Sequence, residues 1–259
     1  MDLQITYVGH ATVLIEIDGI RLLTDPLLLN RVVHLRRQTE TIPESIYQNI
    51  DAALISHLHF DHLDIPSLKL LGKSTKIVVP HGAAQLLEKK KFEHVVEMNI
   101  DDTLTLGSVT IRATNAIHAH ERHKFGPTAE CLGYLIDGTH NVYFAGDTDL
   151  FPEMADLVEH LDVALLPIWG WGPSLGAGHM NPYRAAQAVK LLEPSVVVPI
   201  HWGTFYPIGI SWYKSHSLTN PPHEFASYAK RLSPGTNIQI VPPGTTVPLP
   251  DSLFEDSAS

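Results

Sequence analysis

The chain has 259 residues, 44% hydrophobic and 18% charged, which is apolar enough for a real core and rules out a disordered polymer. Eighteen Lys and Arg against 28 Asp and Glu leave a net charge of −10, which argues against nucleic acid or an anionic membrane as the main partner. The single cysteine, Cys131, excludes an internal disulfide and Cys-based zinc sites, whereas 16 histidines supply the commonest metal ligand in excess.

Residues 1–17 carry Asp2 and Glu16 and lack a basic segment ahead of an apolar run, so no signal peptide is predicted. The longest apolar runs, such as 196–200, are far short of a membrane span. A soluble, cytoplasmic protein is the expectation. Short β-branched runs predict strands at 12–17, 20–23, 52–55, 76–79, 109–113, 132–136, 142–145, 163–166 and 196–200. Turn residues punctuate them, for example Asp18-Gly19, Gly107 and Asp137-Gly138. Several runs are apolar almost throughout, as strands covered on both faces are. Helices are predicted at 83–91, 152–160 and 182–192. The last is the best marked: Asn181 can cap it, Pro182 suits its first turn, and Ala185, Val189 and Leu192 share a face. The pattern is mixed α/β, with helices mainly on outer faces, in one domain over 1–259 with a polar tail after about 248. Residues 203–222, rich in aromatics and turn formers, read either as a lid or as a packed structural excursion.

The chemistry concentrates in Ser56-His57-Leu58-His59-Phe60-Asp61-His62, directly after the strand at 52–55. In an extended segment alternate side chains point the same way, so His57 and His59 can reach one point and Asp61 and His62 a second one nearby. Neutral imidazole and carboxylate suit Zn²⁺, Mn²⁺ or iron. Other strands end in further candidates: His118 after 109–113, Asp147 after 142–145 and His201 after 196–200. Each has a bland reading alone: a loop histidine, a turn former, a core-edge residue. Together they can converge, because ligands in α/β sheets gather beyond strand ends.

The His-x-His-x-Asp-His run, the single His118, Gly146-Asp147-Thr148 and the late His201 resemble the metallo-β-lactamase superfamily. Gly9-His10-Ala11, Leu23-Thr24-Asp25-Pro26 and Pro199-Ile200-His201-Trp202-Gly203-Thr204 are similar to its L-ascorbate-6-phosphate lactonase-like and N-acyl-phosphatidylethanolamine phospholipase D-like branch. The resemblance implies a four-layer αββα sandwich with the site at one edge. It implies that His57, His59 and His118 hold one divalent ion, Asp61, His62 and His201 a second, and Asp147 both. Zn²⁺ is the first expectation and Mn²⁺ the second. It gives Asp25 the role of accepting a hydrogen bond from a ligand histidine. No Cys stands among the ligands, which lowers the case for antibiotic hydrolysis.

Two such ions can trap a water and lower its pKa from 15.7 to about 7, giving a hydroxide that attacks carbonyl carbon or phosphorus. Asp61 and His179 are the residues assigned to catalysis, with His179 protonating the leaving group or binding substrate. Arg122 is a second substrate contact. It forms a basic island with His123 and Lys124, and Arg31, Arg36 and Arg37 form another, which would suit an anionic small molecule. Trp169, Trp171 and the aromatics between 205 and 213 read as pocket wall or core. His10 reads as structural, and His34, His140 and His160 are among those with no assigned partner. The expected activity is hydrolysis of a small ester, lactone or phosphodiester, with no nucleic acid partner and room for a homo-oligomer. Alternatives on the same scaffold are an iron redox or metal-sensing protein, or an RNA-processing nuclease.

Overall fold

The computed structural model describes residues 3–123, 126–171, 175–209 and 216–255. Lys124, Trp212, Tyr213 and the last residues of the polar tail lie outside them. The first half runs β1 (Leu3–Gly9), β2 (Thr12–Ile17), β3 (Ile20–Thr24), β4 (Arg31–Val32), β5 (Leu35–Arg37), β6 (Ala52–Leu54), α1 (Ile65–Leu68), β7 (Lys76–Pro80), α2 (Ala84–Glu88) and β8 (Val95–Met98). The second half runs β9 (Thr103–Leu106), β10 (Val109–Asn115), β11 (Leu132–Asp137), β12 (Asn141–Phe144), a 3₁₀ turn (Pro152–Asp156), β13 (Val163–Pro167), α3 (Pro182–Leu192), β14 (Val196–Ile200), β15 (Phe205–Pro207), α4 (Pro221–Leu232), β16 (Asn237–Ile238), β17 (Thr245–Thr246) and α5 (Ser252–Glu255).

Two seven-stranded mixed sheets carry the fold, ordered β17-β1-β2-β3-β6-β7-β8 and β16-β14-β13-β12-β11-β10-β9. The two-residue side-chain period of strands explains how the first sheet is covered. Leu22, Ala52 and Leu54 belong to the large core that also holds Ile111, Tyr134 and Phe144 of the second sheet. Their neighbours Leu23, Ala53 and Ile55 turn the other way, into a second cluster with Leu68 of α1 and Leu87 of α2. On the far side, Ala185, Val189 and Phe225 bring α3 and α4 onto the second sheet. The layers are helix, sheet, sheet, helix. No helix of the described residues is long and apolar enough to cross a membrane.

The antiparallel pairs β1–β2–β3 and the parallel pairs β3–β6–β7 make β1, β3 and β6 end on one edge. In the second sheet β10, β12, β13 and β14 likewise end together. Departures from the sequence reading have physical reasons. The helix expected at 83–91 is five residues long, and that at 152–160 shrinks to the 3₁₀ turn. The segment 203–222 is not one loop. Phe205 and Tyr206 are buried in β15, which pairs with β5, and Pro221 and Pro222 open α4. Proline tolerates a first helical turn, so the pair marks a helix start rather than a loop.

Candidate metal centre

The segment after β6 bends sharply: the Leu63 and His62 amides both donate to His59 O, at 2.8 and 3.1 Å. That turn throws His57, His59, Asp61 and His62 toward the shared strand edge. Asp25 follows β3 there, His118 lies beyond β10, Asp147 beyond β12 and His201 beyond β14. His57 Nε2 lies 2.9 Å from His59 Nδ1, which lies 3.1 Å from His118 Nε2. His62 Nε2 is 3.2 Å from His201 Nε2, 3.1 Å from Asp147 Oδ2 and 3.9 Å from Asp61 Oδ2. Asp147 Oδ1 stands 3.3 Å from His201 Nε2.

The opposite ring nitrogens fix the tautomers. His118 Nδ1 lies 2.7 Å from Gly178 O and His201 Nδ1 2.9 Å from Trp169 O; a carbonyl only accepts, so both nitrogens carry hydrogen. His62 Nδ1 donates to Asp25 Oδ2 at 2.7 Å. Ser56 Oγ donates to the same carboxylate oxygen at 2.6 Å and accepts from His57 Nδ1 at 2.9 Å. His57, His118 and His201 therefore turn bare Nε2 lone pairs inward, whereas for His62 the Asp147, Asp25 and Asp61 carboxylates outweigh burial and raise its pKa well above the ordinary 6.5, so its Nε2 faces Asp147 Oδ2 as a donor. Burial pushes the His57, His59 and His118 rings down, His118 to about 4, so these three are neutral near pH 7. A proton on His59 Nδ1 can satisfy one of its two facing nitrogens, not both.

Burial alone would raise the Asp147 carboxyl, but His201 and His62 outweigh it and hold it well below the ordinary 3.8. The same balance, with His62 and His10 opposing burial, holds Asp61 ionised. Asp147 Oδ1 is buried without a hydrogen-bond partner. Converging lone pairs and an orphaned anionic oxygen are what a cation satisfies. Ligand atoms of His57, His59 and His118 fall within 4.8 Å of one another, as do those of His10, Asp61, His62 and His201.

The sequence reading gave His10 a structural role, yet its Nε2 lies 3.0 Å from Asp61 Oδ2 and its ring centroid 3.9 Å from that of His201. Its backbone is left-handed, at φ +57°, and is tied by its amide to Thr204 Oγ1 (2.7 Å) and by its carbonyl to the His201 amide (2.8 Å). The signal was the Gly9-His10 turn at the end of an alternating strand.

Arg122, expected to touch substrate, is instead buried. Its guanidinium donates to Leu58 O at 2.5 Å and Leu63 O at 3.0 Å, and sits 4.2 Å over the Phe60 ring. It braces the turn that carries the ligands. Arg37 is also buried, donating to Leu27 O, whereas Arg31 and Arg36 are exposed. The charge islands of the sequence are thus split between scaffold and solvent.

His179 is half-buried, with Nε2 3.3 Å from Asp147 Oδ2 and its ring 4.6 Å from that of His118. Burial would lower its pKa, but the hydrogen bond and charge of Asp147 prevail and raise it. With His59, Asp61 and Asp147 it lines a cavity of about 260 Å³ walled by Val33, His34, Phe60 and Trp171. His34 meets Trp171 edge to face, at 4.9 Å. A larger cavity, about 360 Å³, lies at the starts of β7 and β8 beside Lys69, Lys73, Lys90 and Lys91 and contains none of these ligands.

The family described as the β-lactamase superfamily domain matches residues 20–202. A UPF0173 metal-dependent hydrolase of Methanopyrus kandleri is 32% identical over 93% of this chain and 98% of its own length. Another, from Exiguobacterium, is 36% identical over 80% of this chain and 88% of its own. Among solved structures, Igni18, a metallo hydrolase from Ignicoccus hospitalis, superposes with a TM-score of 0.73 at 27% identity, covering 95% of this chain and 97% of that one.

Proposed function

We propose that this chain, which belongs to the β-lactamase superfamily and within it to the UPF0173 metal-dependent hydrolases, is a two-metal hydrolase of a small ester, lactone or phosphodiester. His57, His59 and His118 would hold one divalent ion, Asp61, His62 and His201 the other, with Asp147 between them. Bound there, the ions supply Lewis acidity, making a water nucleophilic near neutral pH and polarising the substrate oxygen. Imidazole and carboxylate donors suit Zn²⁺ first and Mn²⁺ next. The likeness of the Gly9-His10-Ala11 and Pro199–Thr204 stretches to the lactonase-like and phospholipase D-like branch supports these bonds.

The chain's own residues do the rest. Asp25 and the Gly178 and Trp169 carbonyls hold three rings with Nε2 turned inward. His179 stands at the cavity wall, where Asp147 raises its pKa above the ordinary 6.5 and so favours the proton-bearing ring. It gives its proton to the leaving oxygen as water's hydroxyl goes to the acyl carbon or phosphorus. The bond cleaved and the two halves of water then balance.

The observation that carries this reading is the convergence of the His57, His118 and His201 Nε2 lone pairs, with the His62 ring and the Asp61 carboxylate, around the partnerless Asp147 Oδ1. Dialysis against chelator should abolish hydrolysis of p-nitrophenyl esters or phosphodiesters, and Zn²⁺ or Mn²⁺ should restore it. Asp147→Ala should lose bound metal together with turnover. Full activity in a preparation shown by elemental analysis to be metal-free defeats the reading.

A further inference from the structure

The cavity beside the centre has an unusual wall. Val33, at the tip of the β4–β5 hairpin, is 58% exposed, and Phe60, inside the ligand turn, is 40% exposed. Large apolar side chains left open to water at the mouth of a polar site signal a surface awaiting an apolar ligand. Val33 also sits in the left-handed region, at φ +47°. A β-branched residue pays steric strain there that Gly or Asn would avoid, and such strain is kept where the side chain serves a purpose. Further contacts brace the wall: Trp171 meets the ring of His34, and Phe60 lies under the Arg122 guanidinium and parallel to the His123 ring. No Lys or Arg is among the described residues that line this cavity.

We infer that the substrate is an uncharged, compact molecule whose non-reacting part is an apolar or aromatic group seated against Val33, Phe60 and Trp171. This rests on the hydrolase reading and narrows it, setting esters and lactones ahead of phosphodiesters. A distal carboxylate on the substrate would be desolvated against Val33, Phe60 and Trp171, where no Lys or Arg among the described lining residues pairs it, while His179, beside Asp147, serves the reacting end.

The test compares p-nitrophenyl butyrate with mono-p-nitrophenyl succinate, which replaces the terminal methyl by a carboxylate. The metal-loaded full chain should prefer the butyrate by about tenfold or more in kcat/KM. Trp171→Ala should narrow that ratio. Val33→Gly removes the side chain and its backbone strain together. It should therefore keep the thermal midpoint while raising KM for the butyrate, a combination that a purely structural Val33 would not give. Equal handling of the two esters, or an unchanged KM in Val33→Gly, overturns the inference. If metal is bound and neither ester is cleaved, the hydrolase reading fails. Titration calorimetry with the same two molecules then still decides whether the cavity selects the neutral one.

Discussion

An ionised carboxylate has no proton to give, so Asp61 depends on what its neighbours donate. His10 is the donor, at 3.0 Å, and it is clamped by Thr204 and the His201 amide. Asn at position 10 tolerates a left-handed backbone but is too short to reach Asp61. His10→Asn should therefore fold and yet weaken the Asp61–His62–His201 ion by about tenfold to a hundredfold, leaving the His57–His59–His118 ion in place. Competition titration against a chromophoric chelator would reveal two separated affinities; two unchanged ones would return His10 to a packing role. His179→Ala asks a different question, because His179 belongs to neither proposed ligand set, although its ligand atom lies within 4.8 Å of those of His118 and Asp147. Turnover should drop about 10²-fold, the lower end for general acid catalysis, with both metals retained. Loss of metal in that variant would make His179 a ligand rather than an acid.

Elements convert these residues into a site, and their legibility in the sequence followed from local physics. Buried parallel strands read as continuous apolar runs, so β6 and β14 were visible, and with them the ligands just beyond their ends. The strand β1 also alternates, as Leu3, Ile5 and Tyr7, but Gln4 and Thr6 between them dilute the apolar run that marks the buried strands. The helix α4 hid behind Pro221-Pro222, and β8 and β9 are half-exposed edge-side strands with weak periodicity. The Arg122 role was illegible for a different reason. Its partners are carbonyls 59 and 64 residues away, and carbonyls leave no trace in a sequence. Gly146, by contrast, announces itself. It joins β12 to Asp147 at φ +62°, and a Cβ there would sit 2.6 Å from Ser56 Cβ and 2.8 Å from Leu132 O. Gly146→Ala should push β11 and the Ser56 turn apart, at a cost of about 1–3 kcal/mol. Calorimetry should show the thermal midpoint several degrees lower and metal content reduced. A variant as stable and as metal-rich as the parent would mean that this junction yields freely.

At the scale of the molecule, the ligand segments are held from behind by the core between the sheets. The Tyr7 hydroxyl donates to Trp202 O at 3.0 Å, one residue past His201, and the Tyr134 hydroxyl to Ile55 O at 2.7 Å, two residues before His57. Both tyrosines are fully buried. Burial pushes the Tyr7, Tyr134 and Tyr143 hydroxyls well above the ordinary 10.0, and lifts the Cys131 thiol from 9.0 to about 12. All four groups are neutral in the fold and ionise more readily once unfolded. Their contribution to stability is thus complete below pH 9 and is lost as pH climbs through the ordinary values of 9.0 and 10.0 toward the folded ones. Each group steepens the loss by up to about 1.4 kcal/mol per pH unit. Urea midpoints should consequently hold steady from pH 7 to 9 and fall sharply above pH 10. Tyr134→Phe, though weaker at neutral pH for want of the Ile55 hydrogen bond, should show a shallower alkaline decline. Metal content should fall along the same curve, because the bonds lost are those that seat His57 and His201. A metal-loaded protein whose urea midpoint stays flat to pH 11 would show that these hydroxyls do not couple the core to the centre.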